Sequence, residues 1–160
     1  MKKIVEYVCL AVMAATLPIL MNLIVPNVPF QTVQAQQVIT LTQTGCQFVE
    51  TEAKNYNYQP KSAKDCRQIN SNTIKQRESG FKPMTLKAGK YVFRVTNVNV
   101  PYELGFYLRG QGASQVLLPK VSGGGLTQGK TNDYAVDLKK GKYYINCPLN
   151  PTPDYEVIVQ

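Results

Sequence analysis

The 160-residue chain contains no histidine. That absence excludes Ser-His-Asp and Cys-His nucleophile pairs, HExxH zinc sites and any copper centre built from two imidazoles and a thiolate. Cysteine is scarce, at four residues, with no Cys-x-x-Cys pair among them, so thiol enzymes lack both their dithiol and a histidine base. No long amphipathic helical pattern interrupts the second half, which excludes a parallel sheet wound on helical crossovers, each needing a dozen or more residues. Basic residues are spread rather than clustered, and no nucleic-acid-binding motif accompanies them, so no nucleic-acid partner is expected. What is present suits one domain with a real core: 44% hydrophobic and 18% charged residues, with a net charge of +8.

Lys2 and Lys3 precede an apolar run from Tyr7 to Val25, followed by Pro26 and Pro29. The pattern is that of a secretory signal peptide over residues 1–35, with cleavage after Ala35 in Val33-Gln34-Ala35, leaving residues 36–160 as the folded domain. An uncleaved membrane anchor is the alternative, because the run approaches spanning length; the membrane would then be met only through the leader. Removing Lys2, Lys3 and Glu6 takes 18 basic and 10 acidic side chains to 16 and 9, and the charge from +8 to +7. The basicity therefore belongs to the domain. Its readings are attraction to anionic envelope lipid, to polysaccharide or to an acidic envelope protein, or ordinary solubility. The expected location is periplasmic or extracellular, where disulfides persist.

The exported domain keeps Cys46, Cys66 and Cys147, so at most one pair forms. Val38 to Phe48 alternates β-branched and polar residues and reads as a first strand. Glu50 to Ser79 is a polar excursion with a helical turn expected around Ser62–Ile69, Ser62 at its cap and Asp65 in its first turn. A disulfide between Cys46 and Cys66 would tether this excursion and stabilise the fold by about 3 kcal/mol. Beyond Gly80, strands are expected at 84–86, 91–97, 103–109, 115–118, 131–138, 142–147 and 155–159, the spacing of an all-β antiparallel Greek-key sandwich. Ser122-Gly123-Gly124-Gly125 reads as a flexible loop or as a backbone cradle for an anion.

One pattern recurs. Leu86-Lys87-Ala88-Gly89-Lys90-Tyr91 and Leu138-Lys139-Lys140-Gly141-Lys142-Tyr143 both read Leu-Lys-x-Gly-Lys-Tyr. The glycine supplies a positive-φ turn and the tyrosine hydroxyl reaches back to the turn backbone, which is the tyrosine corner of Greek-key sandwiches.

The stretch Leu86–Gln160 resembles a cupredoxin, more loosely the single-domain envelope cupredoxins related to those accompanying iron-uptake systems. Leu86–Asn97 followed by Pro101-Tyr102-Glu103-Leu104 is similar to the strand and loop that carry the family's first copper histidine, with Tyr102 in its place. Gly141–Pro153 is similar to the closing loop Cys-Pro-x-His-x-x-Met: Cys147 matches, Asn150 replaces histidine and Pro153 replaces methionine. The resemblance implies a cupredoxin-like sandwich in which the type 1 copper centre cannot form. Cys147 is then either a soft metal ligand or redox-active thiol, or a small buried hydrophobe. Glu103 is an oxygen ligand beside it or a surface carboxylate paired with lysine; on a strand Tyr102 and Glu103 would face opposite ways, so both reaching one pocket requires a loop. The expectation is a non-enzymatic exported binding or scaffold protein with no cofactor. The alternative is a copper-binding, delivery or sensing protein anchored on Cys147 with Tyr102, Glu103 and Asn150.

Overall fold

Strict alternation of inward and outward side chains builds the domain, seen most clearly in β4 (Gly89–Asn97), where Tyr91, Phe93, Val95 and Asn97 are buried and the residues between them are not. The structure is a computed structural model, and residues 36–160 are those described; the expected signal peptide and its cleavage site lie outside them. The remaining elements are β1 (Gln37–Thr44), β2 (Gln47–Phe48), α1 (Ala63–Arg77), β3 (Met84–Leu86), β5 (Leu104–Gly110), β6 (Val121–Leu126), β7 (Thr131–Leu138), β8 (Gly141–Asn146) and β9 (Tyr155–Val159). They form two sheets, ordered β2-β1-β4-β7 and β3-β9-β8-β5-β6. Between the sheets, Phe106 packs against Phe93 at 5.3 Å and Tyr134 at 5.1 Å between ring centroids, with Leu41, Val95, Leu104, Ile145 and Val157 filling the same core.

This is the two-sheet sandwich that the cupredoxin resemblance implies, but its pairing is mixed rather than wholly antiparallel. β1 runs parallel to β4, from Gln37↔Tyr91 to Gln43↔Asn97, and β3 runs parallel to β9. Alternation reports which face is buried, not which way a neighbour runs. The chain between β1 and β4 makes the required crossover through α1 and through β3, which lies in the other sheet. Two further expectations are corrected. The segment 115–118 is not a strand but the end of a 3₁₀ turn over Gly112–Val116 and the bend after it, and the glycine-rich stretch expected as a loop is the edge strand β6.

The Leu-Lys-x-Gly-Lys-Tyr repeat forms two tyrosine corners. Tyr91 Oη donates to the Lys87 carbonyl at 3.0 Å, and Tyr143 Oη donates to the Lys139 carbonyl at 2.7 Å while accepting the Lys139 N–H at 3.2 Å. Gly89 and Gly141 take φ of 148° and 154°. Both rings are buried, so each corner joins one sheet to the other with its hydroxyl satisfied.

The excursion is more ordered than its composition suggests. Cys46 and Cys66 are bonded, as expected. The helix is not a turn but 15 residues, started by Asp65, whose carboxylate accepts the N–H groups of Lys61 at 2.7 Å and Ser62 at 3.0 Å. At its other end Arg77 is buried against Glu52, with Nε to Oε2 at 3.0 Å and Nη2 to Oε1 at 2.5 Å; Tyr155 Oη donates to the same Oε1. Asn70 and Thr73 accept from Nη1, and the rings of Tyr56 and Tyr58 lie 5.0 and 5.4 Å from the guanidinium.

Candidate functional site

The end of the sandwich carrying Cys147 is organised by buried amides. Asn97, the last residue of β4, donates from Nδ2 to the carbonyls of Val100 and Leu126, both at 3.0 Å, and accepts the Val100 N–H at 2.9 Å. One side chain thus shapes the loop 98–103 and fixes it to β6. Gln43, on the inward face of β1, donates from Nε2 to the Gly105 carbonyl at 2.7 Å. Asn97 thus fixes the loop before β5, and Gln43 fixes the start of β5 to β1.

Cys147 leads that loop, fully buried. Its Sγ accepts the N–H of Gly105 at 3.3 Å and of Asn150 at 3.2 Å. Burial pushes the thiol up from its ordinary value, against the opposing pull of those amides, the Leu149 N–H and the Gln43 side chain. The Cys147 N–H is itself taken by Thr152 Oγ1 at 2.9 Å, closing the loop on itself. A cavity of about 580 Å³ borders the loop through Pro148 and Leu149, and Cys147 is not part of its wall. The thiol is sealed inside.

Asn150 is the hub. Its Oδ1 accepts the Cys46 N–H at 3.2 Å and the Tyr102 hydroxyl at 3.0 Å, and its Nδ2 donates to the Thr44 carbonyl at 3.0 Å. The Cys66 sulfur, which carries no proton in the disulfide, touches the same Oδ1 at 3.0 Å. Asn150 therefore joins the closing loop, the β1–β2 turn, the disulfide and the loop bearing Tyr102. Tyr102 has its hydroxyl pushed up to about 12, chiefly by burial, with the potential negative charges of Cys147 and Asp65 adding to it.

Tyr102 and Glu103 do lie in a loop, as their joint use of one pocket would need, yet they go separate ways. Tyr102 turns to Asn150, whereas the Glu103 carboxylate is exposed and accepts the Gly125 N–H at 2.7 Å. Its partner is neither Cys147 nor a lysine but the glycine-rich strand, where an internal carboxylate occupies the Gly125 amide that the alternative reading would offer to an external anion. The structure brings Cys147, Asn150 and Tyr102 together and leaves Glu103 outside. Among the described residues no three of Cys, Asp and Glu are grouped as a metal-binding cluster.

Sequence reasoning missed Gln43 and the turn at Cys46 as parts of this site. The signal for Gln43 was its parity with Ile39 and Leu41 on the buried face of β1, an inward amide in an apolar row. Its Oε1 is buried without a hydrogen-bond partner, and the side chain lies at the Cys147 thiol.

No protein-family model and no curated protein matches this chain. Among solved structures it is similar to auracyanin B, at 10% identity and a TM-score of 0.49, covering 78% of this chain and 88% of that one. It is also similar to Lac15 from a marine microbial metagenome, at 11% identity and a TM-score of 0.40, covering 79% of this chain and 27% of that one.

Proposed function

We propose that this is an exported, non-enzymatic, cupredoxin-like protein in which a hydrogen-bonded polar plug stands where the family holds copper, and that it serves as a binding or scaffold module of the cell envelope. The observation that carries this reading is the engagement of Asn150. The residue at the position of a copper histidine has both sides of its amide committed to protein partners, Cys46, Tyr102 and Thr44. Tyr102 spends its hydroxyl on the same amide and stays protonated at neutral pH. The residues present do not fit a type 1 centre, which needs two imidazoles beside the thiolate.

A second reading is favoured by Gln43, whose side chain hydrogen-bonds the Cys147 thiol and whose Oε1 is buried without a partner. A soft ion such as Cu(I) would meet the thiolate and an amide oxygen there. Titration of the exported protein with Cu(I) and Cu(II), alongside Cys147→Ser and Gln43→Leu, separates the two. The scaffold reading expects no stoichiometric binding and no visible thiolate-to-copper band in any of the three. Stoichiometric binding lost in Cys147→Ser overturns it and makes Cys147 the anchor of a metal site.

A further inference from the structure

Both tyrosine corners and the Gly112–Val116 turn lie at the end of the sandwich away from Cys147. Gly89 pairs with Leu138, Gly141 with Val159 and Gly110 with Tyr143, and the Gln111 N–H donates to the Lys142 carbonyl at 2.9 Å. The lysines of the repeated motif are thereby gathered: Lys87, Lys90, Lys139, Lys140 and Lys142, with Lys120 after the turn, all exposed. Two acids offset them. Glu156 pairs with Lys142 at 3.4 Å, and Asp137 sits opposite Lys90 across β4 and β7. Lys87, Lys120, Lys139 and Lys140 have no ion-pair partner among the described residues.

In the same place stand the two most exposed large apolar side chains of the described residues, Val116 at 89% and Leu117 at 82%; the next is at 49%. They are presented by built structure. The N–H groups of Leu117 and Leu118 both reach the Ser114 carbonyl, at 3.1 and 2.9 Å. Leu118 folds down over Gly141, where a Cβ would come within 2.7 Å of its Cδ1. Val116 and Leu117 are left projecting from a base that Leu118 anchors.

We propose that this end of the domain docks on an anionic lipid bilayer, with Val116 and Leu117 entering the boundary between headgroups and acyl chains and the lysines around them meeting lipid phosphates. An apolar wedge ringed by uncompensated lysines matches the two layers of such a surface, negative outside and apolar within. A polysaccharide or a dissolved polyanion offers the charge but no phase for the valine and leucine. β1 also begins at this end, Gln37 pairing with Tyr91, so a leader still attached would tether the same face.

Co-sedimentation of the exported protein, its N-terminus fixed by mass measurement, with vesicles of phosphatidylglycerol and phosphatidylcholine or of phosphatidylcholine alone tests this. Binding is expected to the anionic vesicles only and to weaken with salt. Leu117→Ser should reduce it on the order of tenfold, and each of Lys139→Gln and Lys140→Gln about fivefold. All three positions are exposed, so unchanged thermal unfolding certifies the fold. Absence of binding to anionic vesicles overturns the proposal, as does binding that these variants leave unchanged. Binding that needs the lysines but ignores both Val116→Ser and Leu117→Ser also overturns it, in favour of a soluble polyanion.

Discussion

A buried amide holds a structure together only while its polar atoms are occupied, and Asn150 meets that condition through contacts to three segments distant in sequence. Removing the side chain strands the Cys46 N–H and the Thr44 carbonyl in the interior, each at about 1–3 kcal/mol, and takes away the partner of the half-buried Tyr102 hydroxyl. Asn150→Ala is therefore expected to lower the unfolding free energy by roughly 3 kcal/mol or more, read from urea denaturation. A loss below about 0.5 kcal/mol, the usual range of a surface change, would show that the hub carries no load. The same variant bears on Cys147. In the native protein its sealed thiol should not react with a soluble disulfide reagent, and one thiol per chain of residues 36–160 should react after unfolding. Asn150→Ala removes the amide that links the closing loop to the disulfide, so native-state reaction should become measurable.

At the scale of elements, the excursion illustrates what composition hides. Its cysteines announced the disulfide, and Ser62 with Asp65 announced where the helix starts. What extended the helix to Arg77 was a partner 25 residues earlier, Glu52, together with Tyr155 from the last strand. Pairings of that separation leave no periodic trace, so a buried ion pair looked like one more charge in a polar stretch. Conversely, the repeated Leu-Lys-x-Gly-Lys-Tyr was legible because a tyrosine corner is local, its hydroxyl bonding four residues back. The site divides in the same way. Cys147, Asn150 and Tyr102 were named because their two short loops carry the cupredoxin resemblance, whereas Gln43 is brought to them by the parallel pairing of β1 with β4, which alternation does not reveal, and by its hydrogen bond to Gly105. The ion pair also makes a prediction. Arg77→Met leaves the Glu52 carboxylate buried without its countercharge, which should cost about 3–5 kcal/mol. Adding Glu52→Leu removes the stranded charge and should restore most of that loss, because an apolar pair of similar volume often matches a buried salt bridge. A double variant no more stable than Arg77→Met alone would mean that the surrounding polar groups, not the charge, set the penalty.

For the molecule as a whole, the absence of histidine becomes a statement about pH. No side chain of ordinary pKa titrates between about pH 5 and 8 when histidine is missing, so stability should be level across that window. Above it, burial acts on five groups in the same direction. The Cys147 thiol and the hydroxyls of Tyr102, Tyr134, Tyr143 and Tyr155 are all pushed up, Tyr102 to about 12, with desolvation as the leading cause each time. The unfolded chain therefore loses these protons first, so it binds fewer protons than the native state as pH rises, and stability falls. Their contribution is complete below the ordinary thiol and phenol values and is lost progressively as pH climbs towards the raised ones. On the acid side the depressed groups are Asp65, held down by the Lys61 and Ser62 N–H groups, and Asp133, held down by Arg94. Their stabilisation is present above the ordinary carboxylate value and lost as pH falls below it, but both lie at the surface, where solvent screens them. The urea midpoint is thus expected to form a plateau from about pH 5 to 8 and to decline steeply above about pH 9. Loss of stability centred near pH 6.5 would contradict this account, because the chain has no group of ordinary pKa there to supply it.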